Sequence, residues 1–251
     1  MELELKNKIV LVTGSSRGIG KEIASTFLDE GCKVILNGRD KKSLEKTSKF
    51  FNHLTKFIVA DVTKPLECQK LVKKIIRLYG RLDILICNVG DGKSVDPGKE
   101  TIIDWNKMFE ANLQSATNII ESSKNELSKT RGSIICISSI AGITFLNGAP
   151  IPYSVSKSAL NTYVKYSSRS LGEKNIRINA IAPGNIIFEG SIWEKKLKKN
   201  PSLVKKLLKN DVSLHRFGTP TDIANLTVFL SSSKSSFITG SVYVVDGGQI
   251  R

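Results

Sequence analysis

The sequence predicts an α/β fold in one domain spanning residues 1–251: seven parallel strands in a single sheet, with helices on both faces. Three observations lead there. Seven short β-branched apolar runs recur along the chain, segments of helical period separate them, and a glycine-rich turn joins the first run to the first helical segment.

The strand-like runs fall at 8–13, 33–37, 56–60, 82–87, 133–137, 176–181 and 242–245. They lack polar alternation, so they read as buried on both faces. Between the first two, residues 18–30 put Ile19, Ile23, Phe27 and Leu28 on one helical face; residues 66–79 do the same with Leu71, Ile75 and Leu78. Strand and helix alternate throughout, which favours right-handed crossovers and a doubly wound, Rossmann-like sheet with ligands at the carboxyl ends of its strands. Residues 183–214 break the rhythm with Lys-rich amphipathic pieces, and a substrate lid is expected at about 185–215.

Composition narrows the function. With 40% apolar and 24% charged residues the chain fits a globular domain, and its apolar runs are strand-sized, well short of the ~20 residues of a membrane helix. Acidic residues stand where a signal peptide carries bases, so a mature protein beginning here in the cytoplasm is expected. Cys32, Cys68, Cys87 and Cys136 are too scattered for a zinc site or disulfide framework, and no metal is expected. The net charge of +15 would attract polyanions. Lysines on helix faces, without interleaved aromatics, argue against nucleic acid and leave a solvated surface or an acidic protein partner. His53 and His215 are isolated and read as structural or solvated.

Three motifs carry chemistry. Residues 13–20 read Thr-Gly-Ser-Ser-Arg-Gly-Ile-Gly directly after the first strand, where glycines admit a pyrophosphate and the following helix offers free amides. Tyr153 and Lys157 lie four apart on one helical face, where a cation favours the phenolate and brings the phenol closer to neutral pH. Ser138 and Ser139 end the fifth strand at the ligand edge; strand alternation turns Ser139 inward and makes Ser138 the competing hydroxyl.

With these motifs the chain resembles the short-chain dehydrogenase/reductase family over nearly its whole length. The likeness also takes in Asp61-Val62, Asn88-Val89-Gly90, Asn112, the 178–184 run Ile-Asn-Ala-Ile-Ala-Pro-Gly, and the ending from Ile238-Thr239-Gly240 to Asp246-Gly247-Gly248. The resemblance implies Tyr153 as acid/base, Lys157 as its partner and ribose ligand, and Ser139 orienting the carbonyl. It implies that Asn112 bends its helix and anchors a water leading to Lys157; a mid-helix Asn is itself a poor helix former. Gly14, Ser16, Arg17, Gly18, Ile19 and Gly20 would hold the pyrophosphate, Asp61 and Val62 the adenine, and Asn88, Gly90, Pro183, Gly184 and Ile186 the rest of the cleft. Relatives form tetramers, so a homotetramer is expected.

Cofactor preference turns on Asn37-Gly38-Arg39-Asp40. The carboxylate that would select NAD(H) at the strand end is missing, while Arg39 and Arg17 suit a ribose 2′-phosphate. NADP(H) is expected to be preferred, with NAD(H) possible; Asp40 reads as the cap of the next helix. Two departures from the family pattern stand out. Val89 replaces the usual Ala, and Phe188 stands where a Thr commonly meets the carboxamide, although Ile186 still offers backbone groups.

Within the family the chain looks most like the β-ketoacyl-acyl-carrier-protein reductases, whose carrier is acidic. Lys129, Arg131 and Lys174 fall about where that group places docking bases. Segment 191–210 holds Lys195, Lys196, Lys198, Lys199, Lys205, Lys206 and Lys209 against the single acid Glu194, read either as a solvated cover or as attraction for an anionic or carrier-bound substrate. Sugar, polyol, steroid or other secondary-alcohol dehydrogenases are the alternative, and a non-catalytic NADP-binding scaffold is a third reading.

Overall fold

A computed structural model describes residues 2–52 and 54–250. His53 lies outside the described residues. Seven strands form one sheet: β1 (Ile9–Val12), β2 (Lys33–Gly38), β3 (Lys56–Val59), β4 (Ile84–Cys87), β5 (Ser133–Ile137), β6 (Arg177–Pro183) and β7 (Val242–Val245). Their spatial order is β3-β2-β1-β4-β5-β6-β7, and every pairing is parallel. The winding reverses between β1 and β4, which opens a crevice at the carboxyl ends of those two strands.

Central strands feed two cores. Ile9 and Leu11 of β1 face a cluster built with α3 (Pro65–Tyr79), α5 (Ser115–Thr130) and α6 (Ile151–Gly172). Val10 and Val12 face the opposite cluster, packed under α1 (Gly18–Asp29), α2 (Lys41–Phe50) and α9 (Pro220–Ser231). Burial on both sides explains the unbroken apolar runs of β1, β4 and β5. The edge strands depart from that expectation: Val59 of β3 and Val244 of β7 are exposed, because an outermost strand is only partly covered by helices.

Asp40 caps α2, its carboxylate accepting from the Ser43 backbone N–H at 3.0 Å. Helix α3 buries Cys68, Leu71, Val72 and Ile75, while Leu78, expected on that face, is half exposed. The stripe actually runs 68-71-72-75, with Tyr79 as its next member against the core, so Leu78 falls outside it. Helix α4 (Ile102–Phe109) starts with a Thr101/Asp104 capping box and runs into five residues of π-helix, Glu110–Gln114, with Asn112 buried at their centre. The segment expected to form a lid is helical: α7 (Ile192–Lys199) and α8 (Pro201–Asp211) stand between β6 and α9. Among the described residues no helix is long and apolar enough to cross a membrane.

Candidate active site

The glycine loop leaves β1 and is fastened at three points. Thr13 Oγ1 donates to the Ile86 carbonyl at 3.1 Å and accepts from the Asn88 backbone N–H at 3.0 Å. Asn88 Nδ2 donates to the carbonyls of Thr13 and Gly14 at 3.1 and 3.0 Å, joining the loop to the end of β4. Thr47 Oγ1 donates to the Ser16 carbonyl at 2.8 Å, pinning the far side to α2.

Gly18, with φ +56°, adopts the left-handed conformation that side chains disfavour. At Gly20 a Cβ would lie 2.5 Å from both Asn88 Nδ2 and the Gly14 carbonyl oxygen. Arg17, at the N-cap of α1, caps nothing with its side chain, and no acid occupies the first turn, so that end is free for an anion. These features fit a dinucleotide pyrophosphate.

Beside the loop, Arg39 at the end of β2 and Asp61 at the end of β3 approach within 3.8 Å, with Arg39 largely in solvent. Partial burial pushes the Asp61 carboxyl up, but hydrogen bonds from Thr63 and the charge of Arg39 leave it below its ordinary value. Val62 behind it is buried.

Asn112 ties the π-helical turn to the loop after β4. Its Oδ1 accepts from the Asp91 backbone N–H at 3.0 Å, and its Nδ2 donates to the carbonyls of Asp91 and Met108, both at 3.0 Å. The interrupted helix is thus held by the side chain that interrupts it.

Tyr153 and Lys157 lie in the first two turns of α6. Burial pushes the Tyr153 phenol up, the Ser139 hydroxyl opposes that shift by favouring the phenolate, and the charge of Asp91 adds to it. Lys157 Nζ donates to the Ile137 carbonyl at 2.8 Å, and burial pulls the amine down to about 8. Ser139 Oγ accepts from the Ala141 backbone N–H at 3.1 Å. Ser138 Oγ is turned to the Lys157 backbone carbonyl, 3.4 Å away.

Ser139 and Tyr153 open onto a cavity of about 870 Å³, together with Ile19, Pro183, Gly184 and Ile186. Phe145 and Leu146 after β5, to which the sequence assigned no role, line it together with Trp193 and Leu207 from the segment expected to form a lid. Phe188 lies against the glycine loop, its ring 2.5 Å from where a Cβ on Gly18 would sit. Ile186 is held by a short parallel bridge to Gly218.

Lys129, Arg131 and Lys174 do not border this cavity. Lys129 and Arg131 end α5 just before β5, and Lys174 just precedes β6, which places all three at the amino-terminal edge of the sheet, opposite Ser139. His215, at φ +51°, is exposed in the loop after α8. Among the described residues no cluster of His, Cys, Asp or Glu could hold a metal ion.

An all-parallel doubly wound sheet, a glycine loop at its switch point and a Ser-Tyr-Lys group at the same edge define a nucleotide-dependent oxidoreductase. A family model described as Enoyl-(Acyl carrier protein) reductase matches residues 14–249. The 3-oxoacyl-[acyl-carrier-protein] reductase FabG of Thermotoga maritima is 32% identical over 99% of this chain and 100% of its own. L-sorbose reductase of Gluconobacter frateurii, solved with NADPH and L-sorbose, superposes with a TM-score of 0.93 at 27% identity, covering 100% of this chain and 99% of that one. A 7α-hydroxysteroid dehydrogenase, solved with NADH and 7-oxo glycochenodeoxycholic acid, gives a TM-score of 0.90 at 30% identity, covering 99% and 96%. The chain belongs to the short-chain dehydrogenase/reductase family. It is an oxidoreductase acting on CH–OH or carbonyl groups with a nicotinamide cofactor.

Proposed function

We propose that the protein is an NADP(H)-dependent 3-oxoacyl reductase whose substrate is a thioester on an acidic acyl carrier protein, and that it works as a homotetramer. The observation that carries the reaction is that Ser139 and Tyr153 open together onto one cavity of about 870 Å³. Similarity to the Thermotoga reductase and the net charge of +15 support the carrier.

In this reading Gly14, Ser16, Arg17, Gly18, Ile19 and Gly20 hold the pyrophosphate, and Asp61 and Val62 border the adenine. Asn88, Gly90, Pro183, Gly184 and Ile186 complete the cleft. Arg39, with Arg17 of the glycine loop, selects the 2′-phosphate, since planar guanidinium donors match phosphate oxygens. The bound nicotinamide supplies the hydride. Ser139 donates a hydrogen bond to the substrate carbonyl oxygen and so polarises it. Tyr153 passes a proton to that oxygen, and the phenolate forms beside a charged Lys157. Asn112 keeps the loop at Asp91 and the buried Lys157 in register. Ile102 and Ile103 of α4, Ile151, Val155 and Tyr166 of α6 and Val244 of β7 are exposed in the single chain and would be covered in a tetramer.

A second reading, reduction of a sugar or steroid ketone, rests on the close superposition with the sorbose and hydroxysteroid enzymes. One experiment separates them: NADPH consumption with an acetoacetyl thioester on acyl carrier protein and with the same acyl group on a small thiol. Turnover with a preference for the carrier supports the proposal. Protein that binds NADPH but reduces neither thioester supports the second reading.

A further inference from the structure

Of the seven lysines in segment 191–210, only Lys196 borders the cavity among the described residues, and it is the one cation that does so. Its ammonium stands 4.6 Å from the centroid of the Trp193 ring, and Trp193 rests on Phe217 with ring centroids 5.5 Å apart. A cation over an aromatic face is attracted by the ring and held in place. The one acid of the segment does not claim it: Glu194 accepts from Lys198 at 2.7 Å and from the Gly190 backbone N–H at 2.7 Å. The cavity's other charged group, Asp211, is exposed, as Lys196 is, and makes no ion pair with it.

Ile192, one turn earlier on α7, comes within 3.7 Å of the Cβ position of Gly92, and the Tyr153 ring within 3.8 Å of the same point. Lys196 follows about one helical turn, ~5.4 Å, along α7.

From this arrangement we infer that Lys196, steadied by Trp193, is the subsite for an anionic group of the substrate, set off from the carbonyl by an apolar spacer. Under the carrier reading, on which the choice of anion rests, that group is the phosphate of the arm bearing the thioester. Neutral ketones gain nothing from the subsite.

The test compares acetoacetyl thioesters of 4′-phosphopantetheine and of pantetheine, which differ only in the phosphate. A 7-oxooctanoate and its methyl ester form a second pair. Wild-type protein is expected to favour the phosphorylated thioester by about tenfold in kcat/KM, the factor that ~1.4 kcal/mol represents. Lys196→Met should remove that selectivity, Lys196→Arg should keep it, and Lys195→Met, which changes a neighbouring surface charge, should also keep it. Equal use of the two thioesters by wild type, or selectivity surviving in Lys196→Met, overturns the inference. Should neither thioester react while the oxo acid outruns its ester in a Lys196-dependent way, the carrier reading fails and the subsite stands as a carboxylate site. No Lys196-dependent preference in either pair overturns it.

Discussion

Asn112 and Lys157 converge on Gly90. A Cβ at that glycine would lie 2.9 Å from Asn112 Oδ1 and 3.1 Å from Lys157 Nζ, although the two residues sit on different helices. Close packing of two polar side chains over one backbone position makes it intolerant of even a methyl group.

Gly90→Ala should therefore lower stability by roughly 1–3 kcal/mol and reduce turnover through displaced Asn112 and Lys157. Gly92→Ala is the contrast, since its Cβ would meet Ile192 and Tyr153 at the ordinary contact distances of 3.7 and 3.8 Å. Urea unfolding and kcat for both variants check this; equal effects at the two glycines would refute the crowding argument.

Lys157 carries a cost in stability. Burial holds its amine near 8, against ~10.4 in an unfolded chain. Because the folded value is the lower one, the penalty is complete below pH 8 and fades as pH rises from 8 toward 10.4, where the unfolded chain alone still binds the proton. Lys157→Met should gain roughly 1–3 kcal/mol at pH 7, lose that advantage by about pH 10.5, and cease to turn over. Unfolding curves at the two pH values decide it; a Met variant less stable at pH 7 counts against the burial penalty.

Reduction requires a protonated Tyr153 and, in the proposed mechanism, a charged Lys157. Since burial raises the phenol and sets the amine near 8, kcat/KM for carbonyl reduction should be level below pH 8 and fall above it. A profile flat through pH 9.5 would separate Lys157 from the chemistry. Tyr153→Phe should lose at least ~10²-fold in kcat, with NADPH binding retained by calorimetry; unaltered biological output from that variant would favour a scaffold.

Arg39 projects into solvent 3.8 Å from Asp61, and in the proposed reading it meets the ribose 2′-phosphate. Arg39→Asp should shift the ratio of kcat/KM for NADPH over NADH toward NADH by at least about tenfold, as expected for the loss of a charge-assisted contact. Steady-state kinetics with both cofactors measure it, and an unchanged ratio would remove Arg39 from cofactor choice.

Much of this was legible because it is local. The glycine loop occupies a strand-turn-helix segment, Asp40 caps the helix that begins at the next residue, and Tyr153 and Lys157 share a face by helical period alone. Such features depend on neighbours within a few positions, which a single chain displays directly. Leu78 shows the limit within one helix: period alone left open which of two overlapping stripes would meet the core.

Sequence alone determined the alternating parallel architecture and the glycine loop at a strand-turn-helix junction, and it singled out Ser139, Tyr153 and Lys157. Tertiary structure decided which partner each of them meets. It tied Lys157 to the Ile137 carbonyl, laid Phe188 on Gly18, placed Lys129, Arg131 and Lys174 at the sheet edge away from the cavity, and chose Lys196 from seven similar lysines. Those outcomes depend on elements distant in sequence packing against one another, and the burial, charge and contact each side chain experiences exist only once they have packed.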